Sequence, residues 1–128
     1  MRAVITPKKL RNRNEASEAI LKADLTVALD GTDGAEFVMD ERDDKYLILL
    51  ENTGAADEDA GTDGSAVVTL PPGNGYAGVV DLEVTLPAGS YVFLSLDSIR
   101  FKWMHGEDKG KVLVKGPETV KCAVLVLP

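Results

Sequence analysis

A chain of 128 residues and 13.7 kDa, with 45% hydrophobic residues, holds one compact domain with a real core and leaves no space for a second of ordinary size. Its net charge of −7 and pI of about 4.6 lack the basic footprint of a nucleic-acid binder, so nucleic acid is not an expected partner. No apolar run approaches the roughly 20 residues of a membrane span, and MRAVITPKKLRNRN has no apolar signal-peptide core, so no membrane partner is expected either.

The charge is unevenly placed. Residues 1–13 hold Arg2, Lys8, Lys9, Arg11 and Arg13 and no acid, residues 14–64 hold 15 acids against three bases, and residues 65–128 balance. Such asymmetry predicts docking between surfaces, copies of this chain included. Residues 1–23 read as a flexible basic N-terminal arm, with Lys8, Lys9, Arg11 and Arg13 as the expected contacts to a partner surface or a second subunit. Within it, NEASEAILKA (14–23) has the composition for one or two helical turns.

From Asp24 the pattern changes to period two. DLTVALD sets Leu25, Val27 and Leu29 on one face and predicts a strand. DGTDG (30–34) is turn material, EFVMD a short strand, and ERDD (41–44) a charged turn. KYLILLEN (45–52) is continuously apolar, as a central strand buried on both faces would be. The acidic stretch ENTGAADEDAGTDGSAVV (51–68) leads into AVVTL, and PPGNGYAG (71–78) is a loop. VVDLEVTLPAGSYVFLSL (79–96) alternates on either side of Pro87-Ala88-Gly89 and predicts a hairpin. SIRFKW alternates Ile99, Phe101 and Trp103 against Arg100 and Lys102, which predicts another strand. After the polar turn MHGEDKG, KVLVKG and TVKCAVLVLP are the last two strands. About eight short antiparallel strands separated by Gly, Pro and Asp define an all-β fold. We expect a β-sandwich or jelly-roll-like barrel over residues 24–128, as a single domain.

Little in the chain has the makings of a reaction centre. Asp57, Asp59 and Asp63 alternate as calcium-loop carboxylates do, but Gly61, Thr62 and Val68 stand where an EF-hand needs an oxygen donor, glycine and glutamate. The stretch therefore reads as a strand connection, and no metal or cofactor is expected. His105 is the one histidine and Cys122 the one cysteine, too few for a zinc site. Cys122 lies in an apolar run and reads as a small core residue. Trp103 and Phe101 read as core residues. An enzyme would have to rely on His105 with Glu107 or Asp108, a constellation too sparse to expect catalysis. A carbohydrate- or ligand-binding sandwich would rely on Tyr76 and Trp103. The residues describe a compact β module for binding or assembly, made and kept in a reducing compartment or reaching the outside by lysis or assembly.

The order FVMDERDDKYLILLENTG, VTLPPGNGYAGVVDLEVTLPAGSYVFLSLDSIRFK and GKVLVKGPETVKCAVLVLP, covering roughly residues 36–128, resembles small virion structural proteins of tailed bacteriophages and prophages. The pieces that match are Leu49 to Gly54, Val84 to Gly89, Leu96 to Phe101, Gly110 to Val114 and Val120 to Pro128. These are strand-and-turn patterns, and they carry over no catalytic residue. The resemblance implies capsid decoration: a β-rich protein, a homotrimer, made in the bacterial host cytoplasm, that binds the major capsid protein on the outer head surface and stabilises the shell. A connector, tail or fibre-base part is the alternative within the virion. The acidic loop 55–64 and the basic arm 1–13 depart from the family pattern.

Overall fold

A computed structural model describes residues 1–10, 12–75 and 79–128. Its ten short strands are β1 (Ala3–Val4), β2 (Lys8–Lys9), β3 (Val27–Ala28), β4 (Ala35–Val38), β5 (Tyr46–Asn52), β6 (Ala66–Leu70), β7 (Leu82–Leu86), β8 (Tyr91–Leu94), β9 (Lys111–Val114) and β10 (Val120–Val126). Two single-turn helices, α1 (Lys22–Leu25) and α2 (Ser98–Phe101), complete the regular structure with a 3₁₀ turn at Asp43–Lys45. The fold is all-β and sandwich-like, with no closed barrel among the described residues.

One layer is centred on β5 and β10. These are the two longest strands, and they pair antiparallel along their full length from Tyr46↔Val126 to Asn52↔Val120. β8 flanks β5, while β2 and β3 divide the other edge of β10 between them. The second layer runs β1-β4-β9. The β6-β7 ribbon is attached to it by Thr69 and Lys115, which exchange N–H···O bonds of 2.8 Å. Alternation then fills the space between the layers. Tyr46, Ile48 and Leu50 face inward with Cys122, Val124 and Val126, against Phe37, Val68, Leu70, Leu86, Val112 and Val114.

Three expectations are corrected. The first is the flexible arm. Ala3–Val4 pairs parallel with Ala35–Glu36, and Lys8–Lys9 pairs parallel with Leu125–Val126. Ile5 lies between these strands and is buried to 2% exposure in the core. Not all pairings are antiparallel as a result. A single well-buried apolar side chain gains about 1.5–3 kcal/mol, enough to help hold a short basic segment against the sheet.

The second is the hairpin across Pro87-Ala88-Gly89. β7 pairs with β6 and β8 pairs with β5, so this turn carries the chain from one layer to the other. Ser90 caps it by donating its N–H and Oγ–H to the Pro87 carbonyl. The third is the strand at SIRFKW. The Asp97 carboxylate accepts from the Ile99 N–H at 2.8 Å and starts α2 there as an N-cap. Phe101 still reaches the core, but Ile99 is left exposed and Trp103 half-buried.

Candidate functional site

Charge is segregated along β5. Lys45 precedes this strand and the acidic hairpin follows its end. Seven residues at about 3.4 Å each separate the two by roughly 24 Å.

At the first pole, β10 finishes beside the start of β5, and the Leu127 N–H donates to the Lys45 carbonyl at 2.6 Å. Two adjoining depressions open there. One is lined by Lys9, Arg13, Glu41 and Lys45, among others, and the other by Arg13, Arg42, Asp44 and Lys45. The carboxylates offset only part of this charge. Asp44 sits on Arg42 at 2.6 Å, which holds its carboxyl below the usual range, and Glu41 lies 3.8 Å from Lys9. The structure thus joins the expected contacts Lys9 and Arg13 to Arg42 and Lys45. Those two stand thirty residues away in an acidic stretch, where sequence alone gave no sign of them. Lys8 lies on a neighbouring groove with Leu10, Ser17 and Ile20. Arg11 lies outside the described residues.

The second pole is the loop 55–64. It closes on itself through reciprocal bonds of 3.0 Å between Asp57 and Thr62. Its carboxylates serve the backbone. Asp57 Oδ1 accepts from the Asp59 and Ala60 N–H groups, and Asp63 Oδ1 accepts from the Ser65 N–H and hydroxyl. These bonds lower the Asp63 pKa. The side chains of Asp57, Glu58, Asp59 and Asp63 remain exposed. Among the described residues no group of three or more His, Cys, Asp or Glu gathers as metal ligands would.

Asp108 receives a bidentate bond from Arg2 at 2.8 and 3.2 Å, which depresses its carboxyl pKa. Lys111 meets Glu36 at 2.7 Å in the same cluster, which ties β1, β4 and β9 together on their outer face. His105 is exposed, and its backbone N–H and carbonyl both bond the Asn74 side chain. Tyr76 lies outside the described residues. Trp103 has a buried Nε1 without a hydrogen-bond partner. Burial pushes the Cys122 thiol up to about 12. Among the described residues no helix is long and apolar enough to cross a membrane.

Comparison of the chain with protein-family models, with curated proteins and with solved structures finds no match.

Proposed function

We propose that this chain is a bacteriophage capsid decoration protein that binds the major capsid protein on the outer head surface and stabilises the shell. The observation that carries the reading is the basic pole, where Lys9, Arg13, Arg42 and Lys45 gather about 24 Å from an exposed acidic hairpin. It is supported by the family resemblance of residues 36–128, whose motifs fall on β5, the β7–β8 corner, α2, β9 and β10.

A decoration protein meets many identical sites and must keep its shape at each. Lys9 is fixed by pairing of β2 with β10, and Lys45 by its bond to Leu127. Their backbones are therefore already in place, so that binding orders only the side chains. An acidic patch repeated over a capsid lattice would meet this pole once per site. Linked copies would turn a weak individual contact into tight retention.

The test is co-sedimentation with empty capsids of the encoding phage. The native chain should pellet with capsids, and a Lys9→Glu/Arg13→Glu/Lys45→Glu variant should lose at least about tenfold in retention, with the loss largest at low salt. Failure of the native chain to pellet would overturn the decoration reading. Retention unchanged in the triple variant would overturn the role of the basic pole.

A further inference from the structure

We infer that β8 is a self-association edge, through which two copies of this chain join their β5-β8 layers into one continuous sheet about a two-fold axis. β8 pairs with β5 on one side and with no strand on the other among the described residues. Natural sheets blunt such edges with charge, proline or a covering segment. Here the strand is Tyr-Val-Phe-Leu, and residues 84–96 carry no charged side chain. β7, a free edge of the other layer among the described residues, carries Glu83 and follows Asp81. The edge strand itself therefore sets no like charge against a second copy, and the nearest acid, Glu51 opposite Tyr91, is paired with Lys22 at 3.0 Å.

The strand is also complementary to its own reversed copy. The Asn52 N–H donates to the Ser90 carbonyl at 3.0 Å. Antiparallel ladders alternate bonded and non-bonded pairs, so Val92 and Leu94 direct their backbone groups to β5. Tyr91 and Phe93 direct theirs outward, to the free edge. A two-fold axis at Val92 would set Tyr91 opposite Phe93 of the second copy, twice, with four new backbone bonds. Both side chains stand on the same outer face, 57% and 61% exposed, where Phe93 lies opposite Leu49 and Leu49 opposite Ala123. Aromatic cross-strand pairs of this kind favour association.

The area involved sets the strength. An aromatic residue buries about 150–250 Å², so covering the exposed part of the four rings removes on the order of 500 Å². Interfaces well below about 1,200 Å² are weak. We therefore expect a reversible dimer that forms at roughly tens of micromolar and above. This two-fold pairing does not depend on the capsid reading, and it differs from the trimer that the family resemblance implies.

Sedimentation velocity over a wide concentration range tests it. The mass should rise from 13.7 kDa toward twice that value. Phe93→Lys, which adds an edge charge, and Phe93→Pro, which removes an outward N–H, should each weaken the dimer at least about tenfold while circular dichroism stays native. Amide exchange on the unaltered protein needs no variant. The Tyr91 and Phe93 amides should gain protection with concentration, and Val92 should not change. A monomer at millimolar concentration, or an oligomer that leaves the Tyr91 and Phe93 amides unprotected, would overturn the inference.

Discussion

Asn52, the last residue of β5, donates from Nδ2 to the carbonyl of Leu86, the last residue of β7, at 3.0 Å. The same Nδ2 reaches the Gly64 carbonyl at 2.8 Å and the Pro87 carbonyl at 3.3 Å, while Oδ1 accepts from the Gly54 N–H at 2.9 Å. One buried carboxamide therefore joins the two layers where the chain crosses between them.

From this arrangement Asn52→Ala should cost about 2–4 kcal/mol, because buried carbonyls and an N–H lose their partner together. Asn52→Asp, similar in shape, should be worse at neutral pH, since a carboxylate would face three carbonyl oxygens. Urea denaturation checks both. An Asp variant as stable at pH 7 as the native chain would show that the carboxamide does not hold the corner.

The same residue explains what the sequence conceals. KYLILLEN and VKCAVLVLP declare themselves as core strands because continuous apolar runs survive any choice of neighbour. Pro87-Ala88-Gly89 declares a turn, but nothing in it says whether the next strand stays in the same sheet. That choice is made by Asn52, thirty-five residues upstream, and by the pairing of β8 with β5. Ile99, Phe101 and Trp103 alternate as a strand would, yet the Asp97 cap closes a helical turn before pairing can begin. At the N-terminus the cations mask β2, because a lysine on a sheet edge looks the same in sequence as one in a loose arm. The basic pole was half visible for the same reason: Lys9 and Arg13 stand in a basic run, whereas Arg42 and Lys45 join them only through the β5-β10 pairing.

Ile5 places the N-terminal segment inside the folding unit. Ile5→Ala should destabilise by about 2–4 kcal/mol through lost burial and the cavity left behind. Val4→Ala, one position away and 67% exposed, should change stability by less than about 0.5 kcal/mol. Thermal unfolding of the two variants gives the comparison, and equal small effects would return residues 1–10 to the role of a loose arm.

Two glycines of the acidic loop separate backbone strain from crowding. Gly61 and Gly64 have φ of +70° and +75°. A Cβ at Gly61 would meet nothing within 4 Å, whereas at Gly64 it would stand 2.5 Å from the Ala55 carbonyl carbon. Gly61→Ala should cost about 1 kcal/mol from conformation alone, and Gly64→Ala clearly more, since rigid backbone would have to move. Denaturation midpoints that fall equally for both would mean that the loop relaxes freely and that the close approach at Gly64 has no energetic weight.

Glu51 gives the fold an acid-sensitive point. Its side chain is only about 10% exposed, and Oε2 accepts from Lys22 Nζ at 3.0 Å, with Tyr91 and Lys121 adding smaller favourable interactions. The lysine bond outweighs burial and holds the Glu51 pKa below its ordinary value. A carboxyl depressed in the folded state stabilises above its unfolded pKa, and that stabilisation is lost as pH falls through the folded value. Stability should therefore decline from about pH 4.5 downward, where the unfolded glutamate takes up its proton first. Lys22→Ala should lower the thermal midpoint at pH 7 and make the dependence on pH below 5 shallower, because the largest contact favouring ionisation is gone while Tyr91 and Lys121 remain. Glu51→Gln should remove the same dependence. A Lys22→Ala variant whose midpoint falls with acid as steeply as the native chain would assign the acid sensitivity to other carboxylates, with Asp63 and Asp108 the next to replace.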